Sequence, residues 1–512
     1  MTTTELDSLR DVFVNFRGKG FRPYQKEAIE FALQDSDYRV KMIQAPTGSG
    51  KSLIGACVAA EGRGSTYLVG TKTLQDQVMA DFPEFAVLKG RGNYPCVEFP
   101  GTQCDTCRYL NPKAECDSFD ECEYQTQKRI VAGSAFRVLN YSYFLHETVF
   151  AGDNSLFRNP GVLICDEADT LEDHLLSFIQ LQVSNYQMKS FHVDIPEQGW
   201  GIREYRKWID RSYETLAAWY RDVRHLPPER VRPLTQIAGK FGIARKMVDD
   251  TWLVNIAEDG DGKRVWSFKP VWLTEGLTDR YFLSNAGGRV ILLSATFPTV
   301  PVYSQCTGIP EYEIGYHNVP SVFPAESRPI HFDAVANMGF KTWEAEFPFL
   351  EMKIRAILAN HRLEKGLIHT NSYKLAQRIV GIMPQRMVTH NTGDRQEVLD
   401  AFKRDIRPMV MVSPSMDRGV SFDGDLARFV IVAKTPFASL GDPQVERRLK
   451  SPGGRRWYDA VTAQTMEQQA GRGMRSVDDR CEVHFLDTHS LRLYEQDPGM
   501  FSQYFRDCVV VG

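Results

Sequence analysis

The segment APTGSGKS, residues 45–52, has the composition of a phosphate-binding loop. It lies between an apolar run, VKMIQ, and a helical pattern, SLIGACVAA. Glycines in such a loop let backbone N–H groups face a β-phosphate, a lysine reaches the β- and γ-phosphates, and a serine hydroxyl ligates Mg²⁺. We therefore predict a nucleotide-phosphate site with the residues Thr47, Gly48, Ser49, Gly50, Lys51 and Ser52.

The segment DEAD, residues 166–169, supplies carboxylates that complement this loop. It follows the apolar run GVLIC, which places it at the carboxyl end of a predicted buried strand. Asp166 would hold Mg²⁺ directly or through water, together with Ser52, and Glu167 would polarise an attacking water. The two segments together predict hydrolysis of ATP with Mg²⁺ as cofactor.

A third candidate is QQAGRGMR, residues 468–475, near the other end of the chain. Arg472 and Arg475 are three residues apart on a predicted helix, so both guanidinium groups could face a γ-phosphate. The alternative is a basic helix turn that faces solvent. If the arginines do reach the nucleotide, two separate parts of the chain must close on ATP, and hydrolysis is coupled to motion.

Five of the ten cysteines fall within residues 96–122, and this window contains no histidine. They are Cys96, Cys104, Cys107, Cys116 and Cys122. In a reducing compartment clustered thiols favour metal ligation over disulfides. Thiolate ligation suits both a tetrahedral Zn²⁺ and a [4Fe–4S] cluster, and spacing does not separate the two.

Short apolar runs that end in polar or glycine-containing turns must position these residues. VKMIQ, TYLVG, GVLIC and RVILL form a first series, and KGLIH, PMVMV, RFVIV and CEVHFL form a second one. The pattern predicts two tandem α/β units, each a parallel sheet flanked by helices. The predicted segments are 1–89 with the phosphate loop, the cysteine insertion 90–127, 128–174 with DEAD, a mostly helical insertion 175–275, 276–325 with SAT and a linker, and the second unit 326–512.

The composition is that of an ordinary soluble globular chain: 512 residues, 43% apolar and 25% charged. The beginning of the sequence, MTTTELDSLRDVF, lacks the pattern of a signal peptide, and no run is long enough for a membrane span. We therefore expect a cytoplasmic location, in a bacterial or archaeal cell or in a host cell if a phage encodes the chain. The formal net charge of −4 means that any nucleic-acid binding must come from local grooves.

The order of FRPYQ, APTGSGKS, TKTLQDQ, DEAD, SAT, HTNSY, SPSMDRG and QQAGRGMR resembles that of superfamily 2 helicases. KGRGNYPC followed by clustered cysteines, and VLNYSYFL before DEAD, resembles the XPD/DinG family of iron–sulfur DNA helicases. The resemblance implies two RecA-like domains, a small Fe–S insertion and an Arch-like insertion in the first domain, and 5′-to-3′ translocation on single-stranded DNA.

The resemblance also implies roles for single residues. Arg22 and Gln25 would lie near the adenine, Gln468 would join the ATP site, and Ser294 and Thr296 would link the state of the nucleotide to the DNA groove. Cys96 and Cys122 match the first and last cluster ligands of the family. The ending Cys116-x5-Cys122 favours Cys116, and we predict Cys107 as the fourth ligand, with Cys104 as its competitor.

Several residues depart from the family pattern. Asp169 stands where the family usually has a histidine that couples hydrolysis to DNA. Arg418 and Ser421 stand where acidic residues are common. These departures put the efficiency of coupling in question.

Polar and aromatic residues at strand ends are candidates for the DNA path, since single-strand binders combine phosphate contacts with stacking platforms. They are Thr71, Lys72, Thr73, Asn140, Tyr141, Asn371, Ser372 and Ser413. The segment REYRKWIDRSYETLAAWYRDVR interleaves arginines with Tyr205, Trp208, Tyr213, Trp219 and Tyr220. These rings could stack on bases. Ile209, Tyr213, Leu216 and Tyr220 also repeat at helical spacing, so the alternative is a core stripe with a solvated basic face.

We therefore expect an ATP-dependent DNA helicase that acts as a monomer on single-stranded and forked DNA. One alternative is an RNA or RNA–DNA hybrid helicase of the same fold. Another is a nucleic-acid-binding scaffold that uses ATP as a conformational clamp without unwinding.

Overall fold

The computed structural model describes residues 2–109, 112–223, 228–259, 261–416, 420, 422, 424–474 and 478–510. Its strands form two parallel sheets and a small antiparallel one. In chain order the strands are β1 (Val40–Gln44), β2 (Ser65–Val69), β3 (Ala86–Val87), β4 (Phe136–Asn140), β5 (Leu163–Asp166), β6 (Leu181–Ser184), β7 (Trp252–Glu258), β8 (Arg264–Pro270), β9 (Val290–Ser294), β10 (Ile314–Asn318), β11 (Ile330–Ala336), β12 (Gly366–His369), β13 (Met387–Thr389), β14 (Val410–Ser413), β15 (Phe429–Val432) and β16 (Glu482–Asp487).

Helices flank the sheets and connect parallel strands, as such connections require. In chain order the helices are α1 (Thr3–Asp11), α2 (Gln25–Leu33), α3 (Lys51–Glu61), α4 (Lys72–Asp81), α5 (Pro112–Glu115), α6 (Glu123–Gly133), α7 (Tyr141–Ala151), α8 (Leu171–Ile179), α9 (Asn185–Ser190), α10 (Ile202–Val223), α11 (Pro228–Met247), α12 (Glu275–Tyr281), α13 (Val300–Thr307), α14 (Trp343–Asn360), α15 (Tyr373–Val380), α16 (Arg395–Arg404), α17 (Pro443–Leu449), α18 (Gly454–Ala470), α19 (Thr488–Gln496) and α20 (Gln503–Arg506). None of these helices is both long and apolar enough to cross a membrane.

The first sheet has the order β10-β1-β9-β5-β2-β4-β3, and its strands run parallel. Strands β1, β2, β5 and β9 are buried along their whole length, which explains why they read as continuous apolar runs. The phosphate loop, TKT, DEAD and SAT all follow carboxyl ends of these strands, so they meet at one edge of the sheet.

The second sheet has the order β11-β16-β15-β12-β14-β13, again parallel. Its four central strands are the runs KGLIH, PMVMV, RFVIV and CEVHFL of the second series. The predicted fold class, two tandem parallel-sheet α/β domains, is therefore confirmed.

The insertion between DEAD and SAT contains a small antiparallel sheet in addition to the predicted helices. The helices α10 and α11 form a hairpin, but β6, β8 and β7 form an antiparallel sheet beside it. The turn between β7 and β8 contains Asp259 and Gly262, and Gly262 has a φ of +75°. Asp and Gly between two extended runs are a hairpin signal, so the sequence did carry evidence for these strands.

The long helix α10 buries Ile209 and Leu216 of the predicted stripe, whereas Tyr220 is 38% exposed. Tyr205 and Trp208 are in the core, and Trp208 Nε1 donates to the carbonyl oxygen of Asp194 at 2.7 Å. These two rings are therefore not available to stack on bases.

The two α/β domains contact each other through α17 of the second domain. Arg448 forms an ion pair with Glu172 of the first domain, and its guanidinium lies over the rings of Trp272 and Trp457. Arg448 Nε also donates to the carbonyl oxygen of Val271 at 2.7 Å. The charge is buried, so it is stabilised only while the two domains remain in contact.

Candidate nucleotide site, thiol pocket and nucleic-acid groove

The phosphate loop connects β1 to the N-terminus of α3. Gly48 and Gly50 have φ values of +84° and +77°, a conformation that side chains disfavour. A Cβ at Gly48 would lie 2.0 Å from Cζ of Phe323, so the close packing of the loop requires glycine there. Lys51 and Ser52 begin α3, where backbone N–H groups can bind an anion.

Gln25 and Arg22, predicted near the adenine, form hydrogen bonds to backbone carbonyl groups of the phosphate loop. Gln25 is buried, and its Nε2 donates to the carbonyl oxygen of Ser49 at 2.9 Å. The Gln25 Oε1 accepts from the backbone N–H of Arg22 at 2.7 Å, and the Arg22 guanidinium donates to the carbonyl oxygen of Gly48. These bonds hold loop carbonyls away from the face that would bind phosphate.

Asp166 ends β5 as a buried carboxylate. Its Oδ2 accepts from the Tyr67 hydroxyl at 3.1 Å, and its Oδ1 accepts from the N–H of Glu167 at 2.9 Å. Burial raises the pKa of Asp166, while the positive charge of Lys51 opposes this shift. Such a carboxylate is suited to a cation, because binding a cation would offset the cost of burying its charge.

Asp169, the last residue of DEAD, joins three motifs. Its Oδ1 accepts from the Ser294 hydroxyl at 2.6 Å, and its Oδ2 accepts from Gln468 Nε2 at 3.0 Å. Gln468 Nε2 also donates to the Thr296 hydroxyl at 3.0 Å. The aspartate at the position of the family's histidine therefore connects SAT to the second domain directly.

Arg472 lies in the 3₁₀ turn that follows α18. Its Nε donates to the carbonyl oxygen of Gln468, and its Nη1 donates to that of Val420, both at 3.0 Å. These bonds hold the guanidinium at the wall of the cleft that contains Lys51. Arg475, like Arg418 and Ser421, lies outside the described residues.

One cleft between the two domains brings most of these groups together. Its lining includes Thr47, Lys51, Glu167, Asp169, Ser294, Thr296, Glu467, Gln468, Arg472 and Tyr504. Glu467 and Tyr504 were not among the predicted residues. Burial raises the pKa of Glu467 to about 7, although two hydrogen bonds from Ser502 oppose the shift.

The five clustered cysteines line one small pocket, with Glu98 and Tyr109 beside them. Burial is the main cause that raises the pKa of Cys104 to about 12, and the neighbouring thiols of Cys122 and Cys107 act in the same direction. Cys116 donates to Glu98 Oε2 at 2.7 Å. The five cysteines line one pocket, and thiolates are the ligands of both zinc and iron–sulfur centres.

A groove with basic and aromatic walls begins at the carboxyl ends of β2 and β4. Lys72 and Asn140 line it together with Arg91, Lys128, Tyr143, His146 and Phe150. Phe150 also lines a second groove, which runs between α7 and the insertion and includes Tyr213, Tyr220, Arg245 and Arg280. The sequence reasoning missed most of these residues, although Tyr143 lies within the quoted NYSYF.

Two residues predicted on the DNA path are buried, which corrects their assignment. Tyr141 is 1% exposed, donates to the carbonyl oxygen of Asp166 at 2.8 Å and stacks on His174. Ser413 is 0% exposed and lies 2.8 Å from His390 Nε2. Neither side chain is accessible to a nucleic acid, and both support the strand ends near the site.

The other predicted path residues lie at the surface edge of the sheets. Thr71 and Ser372 cap α4 and α15, and Thr73 is exposed. Lys72 Nζ donates to Asn93 Oδ1 at 2.8 Å. Asn371 donates to the carbonyl oxygen of Lys434 at 2.7 Å and accepts from Gln469 at 3.1 Å.

Comparisons with known proteins agree with this arrangement. Residues 22–190 match the DEAD/DEAH box helicase family, and residues 354–506 match the helicase C-terminal domain family. No curated protein sequence matches the chain.

Solved structures of three XPD proteins are similar in fold. An XPD helicase is 14% identical with a TM-score of 0.64, and the match covers 96% of this chain and 100% of that one. An apo XPD structure gives 15% identity, 93% and 98% coverage and a TM-score of 0.58. Xpd4 of S. tokodaii is 12% identical with a TM-score of 0.59, and the match covers 96% of this chain and 100% of that one.

Proposed function

We propose that the chain, which matches two helicase families and shares the fold of an XPD helicase, is an ATP-dependent DNA helicase of the XPD/DinG-like family that steps along single-stranded DNA from 5′ to 3′. The observation that carries the proposal is the cleft in which Lys51 and Glu167 of the first domain face Gln468 and Arg472 of the second. A nucleotide bound there would contact both domains. Binding and hydrolysis would then change their relative position.

The residues of the cleft have distinct roles in hydrolysis. Lys51 and the N–H groups at the start of α3 bind the phosphates, and Glu167 orients the attacking water and accepts its proton. Arg472 stabilises the charge that develops on the γ-phosphate, and we propose the same role for Arg475. Mg²⁺, held by Ser52 and Asp166, would neutralise charge on the phosphate oxygens.

The hydrogen bonds around Asp169 support a coupling role. Ser294 and Thr296 belong to SAT at the end of β9, and Gln468 belongs to α18 of the second domain. If α18 moves on hydrolysis, Gln468 would shift the Asp169 carboxylate, which also accepts a hydrogen bond from Ser294 of SAT. We propose that this shift reaches the groove through the loops at the same sheet edge.

The thiol pocket supports an iron–sulfur centre. We propose Cys96, Cys107, Cys116 and Cys122 as ligands, with Cys104 as competitor for the place of Cys107. A bound [4Fe–4S] cluster would fix the fold of the insertion, which would part the duplex together with the Arch-like insertion. Single Cys→Ser variants and measurement of bound iron decide the ligand set, and a Cys104→Ser protein without iron would overturn it. Stoichiometric zinc without iron would identify a zinc site instead.

The grooves support single-stranded DNA as substrate. Lys72, Thr71, Thr73 and Asn140 would contact the strand on the first domain, and Asn371 and Ser372 on the second. Tyr143, His146 and Phe150 add rings on which bases can stack, and such stacking tolerates any base.

The decisive experiment combines ATPase and unwinding assays of the full chain. We expect single-stranded DNA to stimulate ATP hydrolysis, a 5′-tailed duplex to be unwound in preference to a 3′-tailed one, and Lys51→Ala to abolish both activities. The exposed Lys19→Ala is the control. Stimulation by RNA alone supports the RNA helicase, ATP binding without stimulated hydrolysis supports the scaffold, and preference for the 3′ tail overturns the polarity.

A further inference from the structure

A cluster of histidines and carboxylates lies in the second domain, away from the nucleotide cleft. His484 and Glu482 are on β16, His331 and Asp333 are on β11, and His361 ends α14. The parallel register pairs His331 with His484, so both side chains point to the same face of the sheet as Glu482. The fold thus brings three of the eleven histidines to one carboxylate.

The donor atoms in this cluster have the spacing of metal ligands. His361 Nε2 lies 3.4 Å from Glu482 Oε2, and His484 Nε2 lies 3.4 Å from Glu482 Oε1. One donor atom from each of these three residues falls within 4.8 Å of the others. Two ligands of a tetrahedral Zn²⁺ are about 3.3 Å apart at ordinary bond lengths, so the observed separations require little adjustment.

The imidazole rings are already oriented for ligation. His361 Nδ1 lies 2.6 Å from Glu364 Oε2, and His484 Nδ1 lies 2.8 Å from Asp333 Oδ2. A carboxylate that accepts from Nδ1–H leaves the lone pair on Nε2, and metal-binding histidines are commonly held in this way. Both Nε2 atoms face Glu482.

The Nε2 atom of His484 is buried without a hydrogen-bond partner among the described residues. His484 is 6% exposed. A buried polar atom in this state normally has a partner.

We propose that His361, Glu482 and His484 bind a divalent transition-metal ion of the Zn²⁺ class. Two imidazoles and one carboxylate are a donor set that zinc accepts, and a fourth position remains for water or for His331, whose Nε2 is 3.1 Å from Glu482 Oε1. Glu482 and His331 are partly exposed and provide the entry path.

The site has a structural role. It lies at the start of β16, whereas the nucleotide-facing loops follow the carboxyl ends of the parallel strands. A metal there would tie the end of α14 to β11 and β16. This inference is independent of the proposed helicase activity.

The test uses the full chain without a histidine tag, stripped with a chelator and titrated with Co²⁺. Thiolate ligation of Co²⁺ produces a sulfur-to-metal charge-transfer band that imidazole and carboxylate ligation lack, so the cysteine pocket is distinguished. We expect the protein to bind one equivalent of Co²⁺ through nitrogen and oxygen ligands. The bound Co²⁺ is lost in the double variant His361→Ala/His484→Ala. It is retained in the control His317→Ala. The ring of His317 stacks on Phe31, and its Nε2, like that of His484, has no hydrogen bond to a described residue.

Conservative variants keep the test valid if the double variant fails to fold. Glu482→Gln removes the charge at nearly constant volume, and Asp333→Asn and Glu364→Gln change the carboxylates that orient the rings and leave the three proposed ligands in place. We expect Glu482→Gln to lose the equivalent, and each of the other two to raise the Kd by about 10- to 100-fold. The proposal would be overturned if the wild type bound no Co²⁺ other than through sulfur, or if these variants bound Co²⁺ as the wild type does.

Discussion

Asp169 Oδ2 accepts a hydrogen bond from Gln468 Nε2 at 3.0 Å, across 299 residues of sequence. The other oxygen of the same carboxylate accepts from Ser294 at 2.6 Å. One side chain of DEAD therefore connects the strand end of SAT with the helix that carries the arginine motif. Movement of α18 relative to the first domain would therefore act directly on this carboxylate.

We expect Asp169→Ala to reduce the stimulation of ATP hydrolysis by single-stranded DNA about tenfold or more. A hydrogen bond to a charged group contributes about 1.5–3 kcal/mol, and two such bonds would be lost. Steady-state ATPase assays with and without DNA measure the effect, with the exposed Asp173→Ala as control. Full additivity with Gln468→Ala in a double-mutant cycle would contradict a coupled pair.

We expect Arg448→Met to destabilise the protein by about 3–5 kcal/mol, because it leaves the Glu172 carboxylate, whose side chain is only 16% exposed, without its partner. Urea unfolding at neutral pH measures the change. The adjacent Arg447→Met is the matched control, since Arg447 is exposed. A second change, Glu172→Gln, should recover part of the loss, and no recovery would argue against the ion pair as its cause.

The stability of the protein should fall as pH rises through about 7, because of Glu467. Burial raises the pKa of this carboxyl from 4.5 to about 7 in the folded state. The protonated carboxyl therefore contributes up to about 3 kcal/mol to the free energy of unfolding. This contribution is complete below pH 4.5 and is lost as pH rises through the folded pKa.

Unfolding of Glu467→Gln between pH 5 and 8 provides the measurement. We expect the variant to gain stability relative to the wild type as pH rises, because glutamine stays neutral. The exposed Glu495→Gln should show no such trend. A stability difference between Glu467→Gln and wild type that is independent of pH would exclude this explanation.

We expect Phe150→Ala to weaken binding of single-stranded DNA about 5- to 150-fold, since stacking of one base contributes about 1–3 kcal/mol. Phe150 is 53% exposed where the two grooves meet. Fluorescence anisotropy at fixed salt measures the Kd, and Tyr312→Ala, an exposed ring outside both grooves, is the control. Equal affinities of the two variants would remove Phe150 from the path.

Local pattern was sufficient for the phosphate loop, DEAD and the buried strands of both sheets. Lys51 and Glu167 were placed in one site because each motif follows the carboxyl end of a parallel strand. The same reasoning misplaced Tyr141 and Ser413, since a polar residue at a strand end can point inward as readily as outward. It also missed the β7–β8 hairpin, where the apolar alternation is weak.

The sequence by itself determined the chemistry available at each strand end and the order in which the two α/β units occur, because both depend on residues that are neighbours in the chain. Only the tertiary structure decided which distant groups meet: Asp169 with Gln468, the five cysteines in one pocket, and His361 with His484. Hydrogen-bond and ligand geometry depends on how helices and sheets pack against one another, and no local pattern in the chain specifies that packing.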